Sequence, residues 1–400
     1  MVINPKIKVV LLIIVSAACF SASIISTCIP FIANYFNVSS SNASSLIAFF
    51  LFGYLFGQII FYIVAQYYGY KKSLLIGFLI YIISCVFQII EIKNHNLNLL
   101  LLFRFIGAMG LSSGLICAFA MINEFSEGQH QTQNLISYAF ISLTLSAYLS
   151  VTLGAFLTNT LGWIFVFYFN LILSFLYLIA IYYLLPDIDQ IKTKEYRTYQ
   201  LVYNKFIAGL SNKKLIFYSL IVSSTTTTTY LFNALGSSIA RNLYSTDLKT
   251  FGILAIFNLL ALILGSVIST SLLKKFSTLK TLNIGILVWL LPVINFLIFS
   301  EMIFEIGSNG FWFYSNIILL NTAVGIIYPP SSFLALGSIA CSKTASSIMN
   351  FIKIGMPALT IFIIGHSNLP LIPSFKLPLE FIASFLILCI FMQRYKMQSS

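Results

Sequence analysis

Long apolar runs separated by short polar segments extend over almost the whole chain of 400 residues. A helix needs about 20 apolar residues to cross the hydrocarbon core of a bilayer. The runs predict twelve transmembrane helices, near residues 8–34, 45–66, 73–91, 97–123, 133–157, 162–185, 215–237, 248–272, 280–300, 311–339, 346–365 and 378–394. The pattern therefore predicts an all-α membrane protein with six spans on each side of a polar central segment, 186–214.

The composition supports this prediction and excludes several classes of protein. Hydrophobic residues make up 59% of the chain and charged residues only 8%, whereas ordinary soluble domains are about 25% charged. So few charges cannot cover a soluble protein of this size, which excludes a soluble enzyme, a nucleic-acid-binding domain and a disordered scaffold. The first apolar run has no evident cleavage site, so we expect a transmembrane helix rather than a signal peptide.

The basic residues lie mainly in alternate loops of this layout. With the N-terminus in the cytoplasm, sixteen of the 22 Lys and Arg fall in cytoplasmic segments, four fall in outside loops, and Arg104 and Lys353 fall inside spans. Cytoplasmic loops of membrane proteins carry the excess of Lys and Arg. We therefore expect both termini in the cytoplasm, and the net charge of +12 reflects this orientation rather than a nucleic-acid partner.

Residues able to do chemistry show none of the spacings that catalysis or metal binding requires. The six cysteines lie in or beside apolar runs without a CxxC pair, which indicates packing residues. The chain has no HExxH, no clustered His and Asp, no GxSxG before a helix and no nucleotide-binding GxxxxGKS or GxxxxGKT loop. We therefore expect no enzyme activity, no metal site and no cofactor.

The two halves of the chain share a weak repeat. Its matches are Ile32-Ala33 with Ile239-Ala240, Gly57 with Gly265, and Lys71-Lys72 with Lys274-Lys275. These matches predict an N-terminal six-helix bundle at 1–186, a cytoplasmic loop at 187–213 and a C-terminal six-helix bundle at 214–400. Two similar bundles with a solute site near the membrane midplane are typical of transporters that work by alternating access.

Five short motifs follow in order along this layout. They are Gly57-Gln58 with Gly69 and Lys71-Lys72, then Arg104 with Gly107 and Gly110, then Gly162-Trp163 with Phe165, then Gly325 with Pro329, and last Thr344-Ala345-Ser346 with Asn350-Phe351. By these motifs the chain resembles the major facilitator superfamily, and within it the bicyclomycin-resistance (Bcr/CflA) type of drug exporter. The resemblance implies the fold of that superfamily, with two pseudo-symmetric bundles of six helices, and export of a small solute.

The chain also departs from the pattern of this family. The loop aspartate of the family falls on Gln66, and its first-span aspartate falls on Ser23. The proline of its antiporter motif in the fifth span is lost at Val151, and Asn123 replaces the arginine beside Glu124. These departures leave open an importer or facilitator that has lost the antiporter motifs.

Two cations inside predicted spans are the main candidates for a solute or coupling site. A cation at mid-membrane costs roughly 2.5–3.5 kcal/mol on insertion scales and usually faces a cavity or a partner. Arg104 could bind an anionic solute or tune a proton site, or it could be a structural arginine bonded to carbonyls. Lys353 could bind solute or exchange a coupling proton, or it could snorkel to the interface. No acid lies deep in a predicted span, since Glu124, Glu301 and Glu305 lie at span edges.

Neutral polar residues in the spans form a second group of candidates. Those that could contact a solute are Gln58, Tyr54, Asn321, Asn350, Thr227 and Tyr230. Those that could take part in gating are Gly69, Lys71, Lys72, Glu124, Pro329 and Pro330. In the threonine run 225–229, we expect two or three side chains to face inward and the others to bond their own backbone. Each neutral residue could instead hold helices together without contacting solute.

The sequence therefore favours a secondary transporter of a small organic solute, anionic if the two cations contact it, in a bacterial inner membrane. Within this class, the leading hypothesis is an exporter of drugs or metabolites, siderophores among them. The first alternative is an importer or facilitator of a nutrient or a metal chelate, and the second is a non-transporting membrane receptor. Protons are the candidate coupling ion, the lipid bilayer is the surrounding partner, and we expect a monomer.

Overall fold

The computed structural model describes residues 5–125, 129–186, 207–305, 310–339, 342–367 and 369–398, and these residues contain helices and no strands. The helices are α1 (Pro5–Ile24), α2 (Ile29–Tyr35), α3 (Ser40–Tyr68), α4 (Tyr70–Lys93), α5 (Leu97–Phe125), α6 (Gln129–Leu161), α7 (Trp163–Leu184), α8 (Lys213–Tyr244), α9 (Leu248–Lys275), α10 (Thr278–Glu305), α11 (Phe311–Leu336), α12 (Ser342–His366) and α13 (Leu371–Gln398). Within the described residues, twelve segments are long and apolar enough to cross a membrane, with α1 and α2 together forming the first. The prediction of an all-α protein with twelve spans is confirmed.

Most helices extend beyond the apolar runs that predict them, because polar residues continue or cap them. Ser39 accepts a hydrogen bond from the backbone N–H of Asn42 at 3.1 Å, so α3 begins five residues before the predicted span. α13 begins at Leu371, seven residues before its predicted start. Pro373 does not prevent this early start, because the first turn of a helix tolerates a missing N–H.

The apolar pattern predicts one continuous α-helix for the first span, but the structure has an interruption there. A 3-10 turn, Ile25–Cys28, separates α1 from α2, and Pro30 occupies the first turn of α2. Proline has no N–H to donate to the carbonyl four residues earlier, and a short 3-10 segment is a common way for a helix to pass such a point.

The chain divides into two compact units, Met1–Lys194 and Glu195–Ser400. The first contains α1–α7 and the second α8–α13. Most of the predicted central loop, 187–206, lies outside the described residues.

One match of the sequence repeat has a packing reason. A Cβ on Gly57 of α3 would lie 2.6 Å from backbone atoms of Met109 in α5. A Cβ on Gly265 of α9 would collide with the carbonyl oxygen of Thr322 in α11 and lie 3.1 Å from the Cα of Gly325. Small residues let helix backbones approach closely inside a membrane. Each unit therefore has at least one close helix crossing that depends on a glycine.

The second crossing also supports a proline pair. α11 stays helical through Pro329 and Pro330, although Pro330 cannot donate to the carbonyl of Ile326. The buried hydroxyl of Ser269, on α9, donates to that carbonyl at 3.0 Å. A neighbouring helix therefore satisfies the acceptor that the proline leaves without its usual partner.

Ser269→Ala is expected to lower the free energy of unfolding by about 1–3 kcal/mol, because the Ile326 carbonyl would then be buried without this donor. Thermal unfolding of the purified protein measures the change. Ser271→Ala is the matched control on the same helix, since the Ser271 hydroxyl is exposed and bonds only to its own helix at Val267. Equal destabilisation by the two substitutions would contradict the role of Ser269.

Candidate functional site

Arg104 lies in the interior of the first unit. It is the eighth residue of α5, and its side chain is only 1% exposed. Its Nη1 donates to the hydroxyl of Ser21 at 3.1 Å, and its Nη2 donates to the Ser21 carbonyl at 2.5 Å. The ring of Phe50, on α3, lies 4.4 Å from the guanidinium carbon. α1 and α3 therefore hold the Arg104 guanidinium inside the membrane-spanning part of the unit.

The Arg104 guanidinium has no acidic partner among the described side chains. Its hydrogen-bond partners are both on Ser21 and are neutral, and its Nε has no partner. Removing an ion from water costs several kcal/mol unless a counter-charge and good hydrogen bonds offset it. Ionisable residues within membrane spans usually mark the path of a solute or an ion. The bond to the Ser21 carbonyl is the contact of a structural arginine, whereas the unpartnered Nε is a donor available to a solute, so both interpretations of Arg104 stay predictions.

Two further buried residues extend the Arg104 contacts to α4 and α7. The hydroxyl of Tyr81 lies 2.7 Å from the Ser21 hydroxyl and donates to the Oδ1 of Asn170 at 3.3 Å. None of Ser21, Tyr81 and Asn170 is among the candidates that the sequence predicts. Asn170 carried a signal, because it is the only Asn, Gln or charged residue in the strongly apolar sequence of α7.

Lys353 contacts a tyrosine in the second unit. Its Nζ, on α12, donates to the hydroxyl of Tyr328 on α11 at 3.1 Å. Tyr328 directly precedes Pro329 and Pro330. The structure therefore brings Lys353 against the side chain of the residue that precedes the proline pair of α11.

The hydroxyls of the threonine run bond within their own helix, α8. All five, from Thr225 to Thr229, donate to carbonyls three or four residues earlier, including Thr227 to Ser223 at 2.8 Å. This is more than the two or three that the sequence suggests. In an apolar environment the acceptor nearest to each hydroxyl is a backbone carbonyl of the preceding turn of the same helix. Every threonine hydroxyl can therefore donate a hydrogen bond without a partner helix.

The other neutral candidates have varied surroundings. The Asn321 amide donates to the Ile317 carbonyl of its own helix at 3.0 Å, and the Asn350 amide donates to the Ser346 hydroxyl at 3.5 Å. Tyr54 is buried and Tyr230 half-buried. Gln58 differs from these residues, because its Nε2 is buried without a hydrogen-bond partner and is free to donate to a ligand.

The gating candidates of the first unit lie around the turn between α3 and α4. Gly69 makes this turn with φ +80°, a conformation that favours glycine. Lys71 has its Nζ 5.8 Å from the ring centre of Tyr182, and Lys72 is exposed. The side chain of Glu124, at the end of α5, lies outside the described side chains.

One acid lies deeper in its helix than the sequence suggests. Glu380 is the third residue of the predicted twelfth span but the tenth of α13, because α13 begins earlier. Its side chain is half-buried. Pro378 obscured this position, since a proline at that point suggests a helix start. The expectation that all acids lie at span edges is therefore wrong for Glu380.

His95 has a close partner in Tyr35. It lies in the turn between α4 and α5, where its ring stacks on Tyr35 with the ring centres 4.3 Å apart and its Nε2 lies 3.1 Å from the Tyr35 hydroxyl. Within the described residues, no three His, Cys, Asp or Glu side chains come together in a way that could hold a metal ion.

Comparisons with known proteins agree with this architecture. Residues 11–360 match the sequence profile of the Major Facilitator Superfamily. An uncharacterized transporter of Rickettsia bellii (strain RML369-C) is 30% identical over 116 residues, and this match covers 29% of the chain and 27% of that relative. The crystal structure of a D-xylose-proton symporter is similar in fold, with a TM-score of 0.74, 15% identity and coverage of 95% of this chain and 96% of that one. A crystal structure of the nucleoside transporter NupG also has a TM-score of 0.74, with 12% identity and coverage of 96% and 98%.

Proposed function

Because this chain belongs to the Major Facilitator Superfamily, and is thus a multi-pass membrane transporter of a small molecule, we propose that it moves a small organic anion across a bacterial inner membrane by alternating access. Both termini lie in the cytoplasm in this proposal, and the protein acts as a monomer. The excess of Lys and Arg in alternate loops supports the orientation.

The buried guanidinium of Arg104 carries the proposal of an anionic solute. This charge has only neutral partners among the described side chains, and one of its donors is unused. A carboxylate of the solute would supply the missing negative charge and accept a strong, charge-assisted hydrogen bond. A lipophilic cation, by contrast, would be repelled by Arg104.

Export is the proposed direction, and secreted metabolites, siderophores among them, or drugs are the proposed cargo. The resemblance to Bcr/CflA exporters supports export. The missing loop aspartate and antiporter proline support the alternative, an importer or facilitator of a nutrient or metal chelate. A non-transporting receptor is the second alternative. Protons are the proposed coupling ion, with Lys353 as the group that exchanges them.

Untargeted mass spectrometry of cells and spent medium, with the gene deleted and restored, tests direction and cargo together. An exporter predicts an anion that accumulates in the deletion strain and disappears from its medium. A compound left in the medium and missing from the cells would establish import instead. Absence of any difference, together with no flux of candidate anions in proteoliposomes, would favour the receptor.

Lys353→Met is expected to reduce coupled transport at least about tenfold, because methionine keeps most of the length of the side chain but cannot bind or exchange a proton. Tyr328→Phe removes one hydrogen bond to the ammonium and is expected to reduce transport by a smaller factor, about three- to tenfold. Proteoliposome flux under an imposed pH gradient measures both effects. Lys274→Met, at the exposed end of α9, is the matched control. Unchanged gradient dependence in Lys353→Met would contradict the coupling role.

A further inference from the structure

The four residues Arg104, Ser21, Tyr81 and Asn170 form one directional chain of hydrogen bonds in the first unit. Tyr81 has a single hydroxyl proton and donates it to the Oδ1 of Asn170. In the 2.7 Å contact between the two hydroxyls either atom can be the donor, and Ser21 takes this role when Tyr81 donates to Asn170. The Ser21 oxygen in turn accepts from Nη1 of Arg104. Every proton in the chain points away from Arg104 and toward Asn170.

Both ends of this chain have donors without acceptors. Nε of Arg104 and Nδ2 of Asn170 are buried without hydrogen-bond partners, in side chains that are 1% and 4% exposed. A buried donor without a partner destabilises the folded state, because it loses its hydrogen bonds to water and gains none in return. The two donors belong to one connected network, so both are available to a ligand that presents acceptors.

The position of this hydrogen-bond network in the membrane span suits binding of a transported solute. Tyr81 is the twelfth of the 24 residues of α4, so its hydroxyl lies near the middle of a span. The network joins α1, α4, α5 and α7 of one unit, and the packed ring of Phe50 covers a face of the guanidinium. The edge of the guanidinium that carries Nε is the part left without a partner.

We propose that Asn170 is a second solute-binding residue, which donates its amide N–H groups to an oxygen of the solute while Arg104 binds a carboxylate of it. Tyr81 is a positioning residue, because it holds the Asn170 amide through Oδ1 and connects it to Arg104 through Ser21. The solute class is then a small organic acid with a second oxygen acceptor, such as a dicarboxylate or a hydroxy acid. This inference rests on the proposed transport of an anion.

Succinate and butyrate are suitable probes, since both have four carbons and a carboxylate but only succinate has acceptors at both ends. Isothermal titration of the full-length protein in lipid nanodiscs measures their affinities, with chloride as a test for binding of any small anion. The wild type is expected to bind succinate at least about tenfold more tightly than butyrate, a typical effect of one additional buried hydrogen-bonded group. Equal affinities, or chloride binding alone, would overturn the proposal.

Asn170→Asp separates binding from folding at this position. The aspartate can still accept the hydrogen bond from Tyr81, but it replaces the N–H donors with a negative oxygen. Affinity for succinate is expected to fall at least about tenfold, and the preference over butyrate to disappear. Ser174→Ala is the control on the same helix, because the Ser174 hydroxyl bonds only to its own backbone at Leu171. Wild-type affinity and preference in Asn170→Asp would overturn the role of Asn170.

Tyr81→Phe tests the positioning role through selectivity. The ratio of the two affinities is expected to shrink about threefold or more, since the amide loses the bond that orients it. A purely structural role would lower protein stability and leave this ratio unchanged. Anion flux that persists while succinate and butyrate bind equally would overturn this inference alone. Selective, Asn170-dependent binding without any flux would support the site and overturn the proposed transport.

Discussion

Arg104→Gln is expected to reduce transport strongly while the protein remains as stable as the wild type or becomes more stable. Loss of a buried charge-assisted contact to an anionic solute corresponds to about 2–5 kcal/mol, which lowers transport at limiting solute by roughly 30-fold or more. Stability is expected to change in the other direction, because replacing a buried ion by a neutral side chain is often neutral or stabilising. No described carboxylate would lose its partner, and Ser21 would keep its contact with Tyr81.

The opposite directions of these two effects distinguish the interpretations of Arg104. Proteoliposome flux and thermal unfolding should be measured on the same preparation, with Lys93→Gln, at the exposed end of α4, as a cation control. A structural arginine would give the reverse result, a large loss of stability with flux per folded molecule unchanged. That result would also remove the main support for an anionic solute.

Gly265→Leu is expected to prevent the second unit from reaching its native packing. A Cβ at this position already collides with the carbonyl oxygen of Thr322, and that atom belongs to a backbone and cannot rotate away. Inserting side-chain volume into a packed contact typically costs 1–3 kcal/mol. Separating α9 from α11 should exceed about 3 kcal/mol, because it also removes the bond from Ser269 to the Ile326 carbonyl.

The amount of monodisperse protein after size-exclusion chromatography, and its unfolding temperature, measure this effect. Ser271→Leu adds comparable bulk to an exposed position of the same helix and should have little effect. Gly57→Leu, at the crossing of α3 and α5, is expected to damage the first unit similarly. Normal yield and stability of Gly265→Leu would show that the glycine is not required for this crossing.

Local sequence patterns were sufficient for some details and misleading for others. Apolar run length predicted the number of spans, because the bilayer core imposes one minimum length on every helix that crosses it. The same rule misplaced the start of α13, and with it the depth of Glu380, because capping and first-turn prolines are not visible in hydropathy. The threonine run likewise gave no indication that all five hydroxyls bond to their own helix.

The sequence by itself determined that this protein is a twelve-span transporter and that Arg104 and Lys353 are charges within its spans. Only the tertiary structure decided which residues surround these charges. Ser21 lies 83 residues from Arg104, and Asn170 lies 89 residues from Tyr81. A transmembrane helix is apolar around its whole circumference, so its sequence pattern does not reveal which face contacts protein and which contacts lipid. The partners of a buried polar residue are therefore fixed by helix packing, and Ser21, Tyr81 and Asn170 became recognisable as one site only after the helices were assembled.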